Sequence, residues 1–510
     1  MTMVTNASPK AGTKPNRQQR RQAARLAKGA RRGNGAAALH FSEHVQKGAQ
    51  LHQAGQVQEA EAIYRRVLDI NPNHADANHL RGVLLFQVGN HAQAVELISR
   101  AIAMAPDQPI YHNNLGAVLK ELGRPDDALA SYRRALAIKP DYGEAHDNLG
   151  IVLADSGRLE EAVASYHKAL AIKPDHAETH NNLGIALASS GRLDDAVASY
   201  GRALALRPDV AEAHRNLGNV LQKLGRPDDA LASYERAIAV KPDFAEAHRN
   251  LGTVLANSGR TEEAVASFRR ALEFDPADTS ALHMVASLSG ETTKIAPRAY
   301  VRKLFDDYAA RFDDHLVGKL DYKIPELMRR VVDCATDNRG RFGRALDLGC
   351  GTGLVGENFK DIVEQIHGVD LSPKMIECAG RKDIYSALHL ADVLEFLESS
   401  DSKASDYDLI LAADVFVYIG DLAPVFAAIG RALTEGGLFV FSVESLEQGS
   451  YKLRPTGRYA HSDACISGLA SDCGFAVELC EGVDLRKERD GRVAGNLYIL
   501  RGGGLVADLP

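Results

Sequence analysis

The residues best suited to chemistry are a glycine-rich turn and the acids that surround and follow it. Asp347, Gly349, Gly351, Gly353 and Gly356 share one segment, and Asp370, Asp392 and Asp414 come after it in order. A glycine turn after a strand lets backbone amides approach a nucleotide-like cofactor, and an acid at the end of the next strand can hold ribose hydroxyls. Alone this is ambiguous. Gly351-x-Gly353-x-x-Gly356 also satisfies the dinucleotide fingerprint, with Asp370 near the spacing that fingerprint wants.

Such residues need rigid elements behind them. An apolar run at 344–348 reads as a buried strand running into the glycines, with a helix over 354–361 and a strand at 365–370. Ser372-Pro373 opens a further helix as cap and first residue. Apolar stretches at 386–391, 407–413 and 438–443 are further strands with helical pattern between them. Strands alternating with helices predict a mainly parallel, doubly wound sheet. Ahead of it, 299–328 is helical; Tyr308 and Phe312 there could lid a cofactor or face the core.

Five ordered segments carry a resemblance. Ala345-Leu-Asp-Leu-Gly-Cys-Gly-Thr-Gly353, His367-Gly-Val-Asp-Leu-Ser-Pro373, Leu390-Ala-Asp-Val393, Tyr407-Asp-Leu-Ile-Leu-Ala-Ala-Asp-Val-Phe-Val-Tyr418 and Leu433-Thr-Glu-Gly-Gly-Leu438 resemble the motifs of Rossmann-like (class I) S-adenosylmethionine-dependent methyltransferases. The resemblance covers roughly 300–501 and implies a seven-stranded sheet with S-adenosylmethionine as cofactor. By this resemblance Asp347 faces the cofactor's amino group, and backbone at Gly349, Gly351 and Gly353 lines its methionine part. Asp370 takes the ribose hydroxyls, Leu371 packs on the adenine, Asp392 and the Val393 amide read the adenine edge, and Asp414 lies near the sulfonium. For Asp392 or Asp414 in isolation, the alternative is a helix cap. Methyl transfer needs alignment and exclusion of water, and a base where the nucleophile carries a proton. His461 and Tyr459, after the fifth strand where such folds place substrate residues, are the catalytic candidates. An Asn/Asp-Pro-Pro-Tyr motif for amino-directed DNA methylation is absent, with Asp414-Val-Phe-Val in its place.

The strongest regularity is a 34-residue period. Gly48, Gly82, Gly116, Gly150, Gly184, Gly218 and Gly252 keep it, as do Ala60 to Ala264 and Pro72 to Pro276. Each unit reads as helix–turn–helix: the first glycine and the alanine permit close helix approach, and a second glycine seven residues on makes the turn. The array resembles tetratricopeptide repeats, seven over 41–278, with His (His112, His146, His180, His214, His248) where that family's Trp stands. These histidines read as packing and hydrogen-bonding substitutes, and no metal site is expected. Asn114, Asn148, Asn182, Asn216 and Asn250 recur two residues before the helix glycine. A ladder of amides along a concave groove suits the backbone of an extended peptide, and it resembles the array of eukaryotic O-linked N-acetylglucosamine transferases. The alternative is that each Asn bonds the neighbouring repeat. Residues 279–290 read as a solvating helix over the last repeat and 290–297 as a short linker, giving domains at 1–40, 41–278, 279–298 and 299–510.

A chain of 510 residues needs more than one core. Residues 1–40 carry nine Lys/Arg and no acid, and read as a basic disordered tail without the apolar stretch of a secretory signal. The rest has 51 basic against 67 acidic side chains, a formal charge of −16, which argues against nucleic acid as partner. No apolar run is long enough to span a membrane. Six cysteines without C-x-x-C spacing point to reduced thiols in the cytoplasm. The sequence therefore predicts a methyltransferase whose repeats recruit a protein or peptide, with the acceptor undetermined. The alternative is an interaction scaffold with a non-catalytic cofactor-binding domain.

Overall fold

The computed structural model describes residues 41–336, 341–399, 407–488 and 491–503. The basic tail expected at 1–40 lies outside them. The chain forms two compact units, Met1–Arg226 and Pro227–Pro510.

The first unit is an array of paired helices, such as Pro109–Glu121 with Pro125–Ile138 and Gly143–Asp155 with Leu159–Ile172. Proline at the first helical position and acids in the first turn (Asp126, Asp127) favour these starts. Gly123, at φ 68°, turns the chain between partners in a conformation that residues with a Cβ rarely adopt. Close packing explains the other recurrent glycine: a Cβ on Gly116 would sit 2.7 Å from the ring of Tyr132, a fully buried side chain. The recurring histidine is a clasp. His112, His146, His180 and His214 each place Nε2 2.8–2.9 Å from the carbonyl of the proline six residues earlier. Asn78 does the same to Pro72 at 2.8 Å, so the position selects a side chain that reaches a carbonyl.

The second unit opens with the helices Pro227–Val240, Ala245–Asn257 and Thr261–Phe274, where His248 repeats the clasp on Pro242 at 3.0 Å. The helix Thr279–Ser289 follows, capped by Asp278. The sequence placed the domain boundary near 278 and made this helix a solvated cover. Instead its buried His283 bonds the Gly457 carbonyl at 2.9 Å and Ser287 bonds the Arg454 carbonyl at 2.7 Å, both in the α/β part of the same unit. The expected linker is likewise a fixed strap: Ile295 bridges Ile419, and the amides of Gly420 and Asp421 both donate to the Lys294 carbonyl.

Among the described residues the sheet has nine strands, not seven. They are β1 Phe342–Leu348, β2 Val363–Asp370, β3 Ala387–Leu390, β4 Tyr407–Ala412, β5 Leu433–Ser445, β6 Tyr451–Leu453, β7 Tyr459–His461, β8 Phe475–Glu488 and β9 Gly491–Gly502. Strands β3-β2-β1-β4-β5 run parallel, β9 joins β5 antiparallel, and β8 pairs with β9. Those seven form the expected sheet. The extra pair is a short hairpin: β7 runs parallel to the end of β5 (Glu444 opposite Ala460) and β6 pairs with β7. Three-residue strands carry too little alternation to be read from sequence. Alternate residues of β5 face opposite sides. Phe439 and Phe441 pack with Phe426 and Ile429, while Leu438 and Val440 pack in the layer that includes Met328 and Val332.

Candidate active site

A cavity of about 470 Å³ opens at the carboxyl ends of β1, β2 and β4, within the range that holds small ligands. Its floor is the turn after β1, where Gly349, Gly351 and Gly353 have φ of 64°, 55° and 93°. A Cβ on Gly349 would lie 2.5 Å from Val415, so that turn needs glycine for space as well as torsion. The buried Asp370 carboxylate braces the turn, accepting from the Gly351 amide at 2.9 Å on one oxygen and the Ser372 amide at 2.8 Å on the other. Each oxygen keeps a further acceptor site for a hydroxyl. Burial raises the Asp370 pKa, and its backbone donors oppose the rise.

Asp392 serves two roles at once. It caps the helix Val393–Glu398 through the Leu394 and Glu395 amides and pairs with Arg298 at 3.0 Å, all on Oδ1. It lines the cavity too, as do Leu371 and Val393. Asp414 is held at φ 57°, its Oδ2 3.0 Å from Arg486 and its Oδ1 buried without a partner. Arg486 also reaches Glu444, so this ion pair is buried and doubly compensated.

Asp347 and Gly353 do not line the cavity. Asp347 is fully buried at the end of β1, with Oδ2 accepting from Tyr385 at 2.7 Å and Oδ1 unpartnered. Burial, with the Asp370 carboxylate adding to it, pushes its pKa up to about 7.

The roof is the helix Arg298–Tyr308, a 3-10 turn Ala309–Arg311 and the helix Phe312–Gly318. Phe305, Tyr308 and Phe312 face the cavity, so the two aromatics singled out in the sequence form part of its wall. The roof is clipped to the segments after β1, β2 and β3: Asp313 accepts from Thr352 and pairs with Lys382 at 3.0 Å, Asp306 accepts from Ser372 at 2.6 Å, and Arg298 pairs with Asp392.

His461 and Tyr459 must be corrected. They lie in β7, fully buried, and neither lines the cavity. His461 Nε2 is 3.0 Å from the Gly420 carbonyl and burial lowers its pKa to about 4; Tyr459 bonds Thr293. Both fasten the hairpin and strap. The cavity instead holds Arg458, Tyr418 and His315, none of which the sequence singled out, with His315 Nδ1 bonded to the Tyr308 hydroxyl. Arg458 adjoins the candidates that were chosen, but a strand's alternation turned them inward. Burial also lowers the His315 pKa.

The recurring asparagines are engaged within the array, three of them with the preceding repeat and Asn216 with its neighbour in the same helix. Asn114 Nδ2 is 2.9 Å from His79, Asn148 donates to Asn113 at 3.1 Å, Asn182 bonds Asp147, and Asn216 accepts from Arg215 at 2.9 Å. Asn250, in the second unit, has interactions as well.

Glycine turn, braced acid and β3-β2-β1-β4-β5 order define a Rossmann-like methyltransferase domain. A methyltransferase-domain family matches residues 346–439, and tetratricopeptide-repeat families match 51–117, 109–142, 152–191, 186–225 and 217–279. The chain thus joins tetratricopeptide repeats to a methyltransferase domain. Among similar curated proteins, the ubiquinone biosynthesis O-methyltransferase of Thiobacillus denitrificans is 29% identical over 198 residues, 35% of this chain and 84% of the relative. The mitochondrial arginine-hydroxylase NDUFAF5 of Danio rerio is 32% identical over 124 residues, 24% of this chain. The chain spans 37% of that relative's length, and 61% of the nodulation protein S of Rhizobium tropici, at 29% identity over 30% of this chain. Similar solved structures include MamA (30% identity, TM-score 0.31, 32% of this chain and 95% of that one). Another is YrrB, described as a tetratricopeptide-repeat protein with an unusual peptide-binding site (25% identity, TM-score 0.34, 37% and 97%).

Proposed function

We propose that this chain transfers a methyl group from S-adenosylmethionine to an acceptor held under the roof helices. The observation that carries the reading is the run of Asp370, Asp392 and Asp414 along one cavity floored by the glycine turn. The residues fit the cofactor. Asp370 has acceptor sites left for ribose hydroxyls and Asp392 has Oδ2 clear of its cap for the adenine amino group. Asp347 lies behind the turn and outside the cavity wall; its Oδ1 has no donor, and the cofactor's amino group would have to reach it past the turn. When bound, S-adenosylmethionine supplies the electrophilic methyl. The protein's task is to align the acceptor and exclude water. Phe305, Tyr308 and Phe312 supply the dry wall, and the bonded His315–Tyr308 pair offers a route for a proton leaving a protonated nucleophile, from the Tyr308 hydroxyl to the His315 imidazole.

The repeats recruit a protein or peptide in this proposal, because stacked repeats present extended surfaces; the groove role of Asn114, Asn148, Asn182, Asn216 and Asn250 belongs to it. Six cysteines without disulfides suit a reducing, cytoplasmic setting. No helix among the described residues is long and apolar enough to cross a membrane.

The test is transfer of labelled methyl from S-adenosylmethionine into a lysate, split into protein and small-molecule fractions. Incorporation that requires the purified chain and is lost in Asp370→Ala supports the reading. Cofactor binding with no transfer into either fraction favours the scaffold alternative.

A further inference from the structure

The cavity has two chemically different ends. Asp370 and Asp392 mark the cofactor end. At the other end, beyond β4 and β5, the charged lining groups are Arg458, Arg486, Lys487, Glu488 and Asp414. Most of these cations are already paired: Arg486 with Asp414 and Glu444, Lys487 with Asp321 at 3.7 Å, and Arg298, nearer the cofactor end, with Asp392 and Glu395. Arg458 differs. Among the described residues its guanidinium makes no hydrogen bond and has no carboxylate within ion-pair distance, although it lines the cavity beneath a wall of Tyr418, Tyr308 and Val301.

Arg458 is half-buried in the cavity wall, and an unpaired guanidinium there gains from an anion that replaces its lost hydration. Its planar fork suits a carboxylate's two oxygens. The acids nearest it electrostatically, Asp414, Glu444 and Glu488, and the Tyr418 hydroxyl come from the β4, β5 and β8 side, none from the glycine turn or β2. That places Arg458 on the acceptor side. Asp414 and Glu444 are already committed to Arg486, and Glu444 to Arg454 as well. The single uncompensated cation thus fits a monoanion better than a phosphate dianion, which Glu488 would also repel.

We propose that the methyl acceptor is a small molecule with a flat apolar body and one carboxylate, the carboxylate docking on Arg458 and the apolar body lying against Phe305, Tyr308 and Tyr418. This rests on the methyltransferase reading above, and the experiment separates the two. Full-length protein is titrated calorimetrically with S-adenosylhomocysteine, and the saturated complex is then titrated with 4-hydroxybenzoate and with its neutral amide, 4-hydroxybenzamide. The expected result is that the carboxylate binds tenfold or more tightly than the amide. Arg458→Met removes that preference without changing amide or S-adenosylhomocysteine affinity, and Arg458→Lys keeps part of it. Equal binding of the two probes to the wild type, or binding of neither, overturns the proposal without needing any variant. A tenfold loss of S-adenosylhomocysteine affinity in Arg458→Met also overturns it, by assigning the arginine to the cofactor's own carboxylate. Failure of the wild type to bind S-adenosylhomocysteine contradicts the methyltransferase reading instead, and the probe pair is then compared on the free protein, where the same preference is expected.

Discussion

In the repeats, recurring polar residues are consumed by the array itself: His112, His146 and His180 clasp proline carbonyls, and Asn114 and Asn148 bond residues 35 positions earlier. Around the α/β cavity the polar residues are arranged but left incomplete. Asp347 and Asp414 each keep an unpartnered buried oxygen and Arg458 keeps its guanidinium unpaired among the described residues. A polar group repeated at every period has a neighbour that can satisfy it, so its recurrence reports assembly of the array. Unsatisfied buried atoms occur in the array as well, Asn78 Oδ1 and His146 Nδ1 among them, so it is the open cavity beside Asp414 and Arg458, together with the missing partners, that calls for a ligand.

That contrast can be broken in four places. The largest effect is expected at Asp370: Asp370→Ala strips the acceptor from the Gly351 and Ser372 amides and should lower S-adenosylhomocysteine affinity at least a hundredfold by calorimetry, whereas a repeat-core change should leave that affinity within twofold. Tyr166→Ala in the array is the matching repeat-core change. It empties a buried aromatic site and should cost about 3–5 kcal/mol in denaturant unfolding of the array. His461→Gln comes next. It disturbs a buried bond to Gly420 and should destabilise by about 1–3 kcal/mol while the turnover of the folded protein holds; a large fall in turnover would restore His461 to the catalytic role. The smallest effect is on pH dependence. Asp347 with a pKa near 7 is protonated in the free protein at pH 6 and ionised at pH 8. Binding a cationic amino group favours the ionised form, so affinity should rise with pH across that window by up to about tenfold, and Asp347→Asn should flatten the profile. For folding the sign is opposite: the native state holds this proton more tightly than the unfolded chain, so its contribution is lost as pH rises from about 4 through about 7.

Repeat helices and the central strands were legible because both carry long periods: 34 residues in one case, alternation and ordered motifs in the other. Ordered acids also located most of the cavity, since Gly349, Gly351, Asp370, Leu371, Asp392, Val393 and Asp414 all line it. The residues misread are those whose direction depends on pairing. Tyr459 and His461 sit on a three-residue strand whose existence depends on the end of β5, and that pairing buries them. Arg458, one residue earlier, faces the cavity for the same reason. Strap and capping helix escaped too: their partners, Tyr418 and Gly457, lie more than a hundred residues away in sequence.

The most direct measurement is calorimetric titration of the full chain with S-adenosylmethionine. The account predicts one site per chain, abolished by Asp370→Ala and retained in Tyr459→Phe. An absence of binding, or binding indifferent to Asp370→Ala, would contradict it.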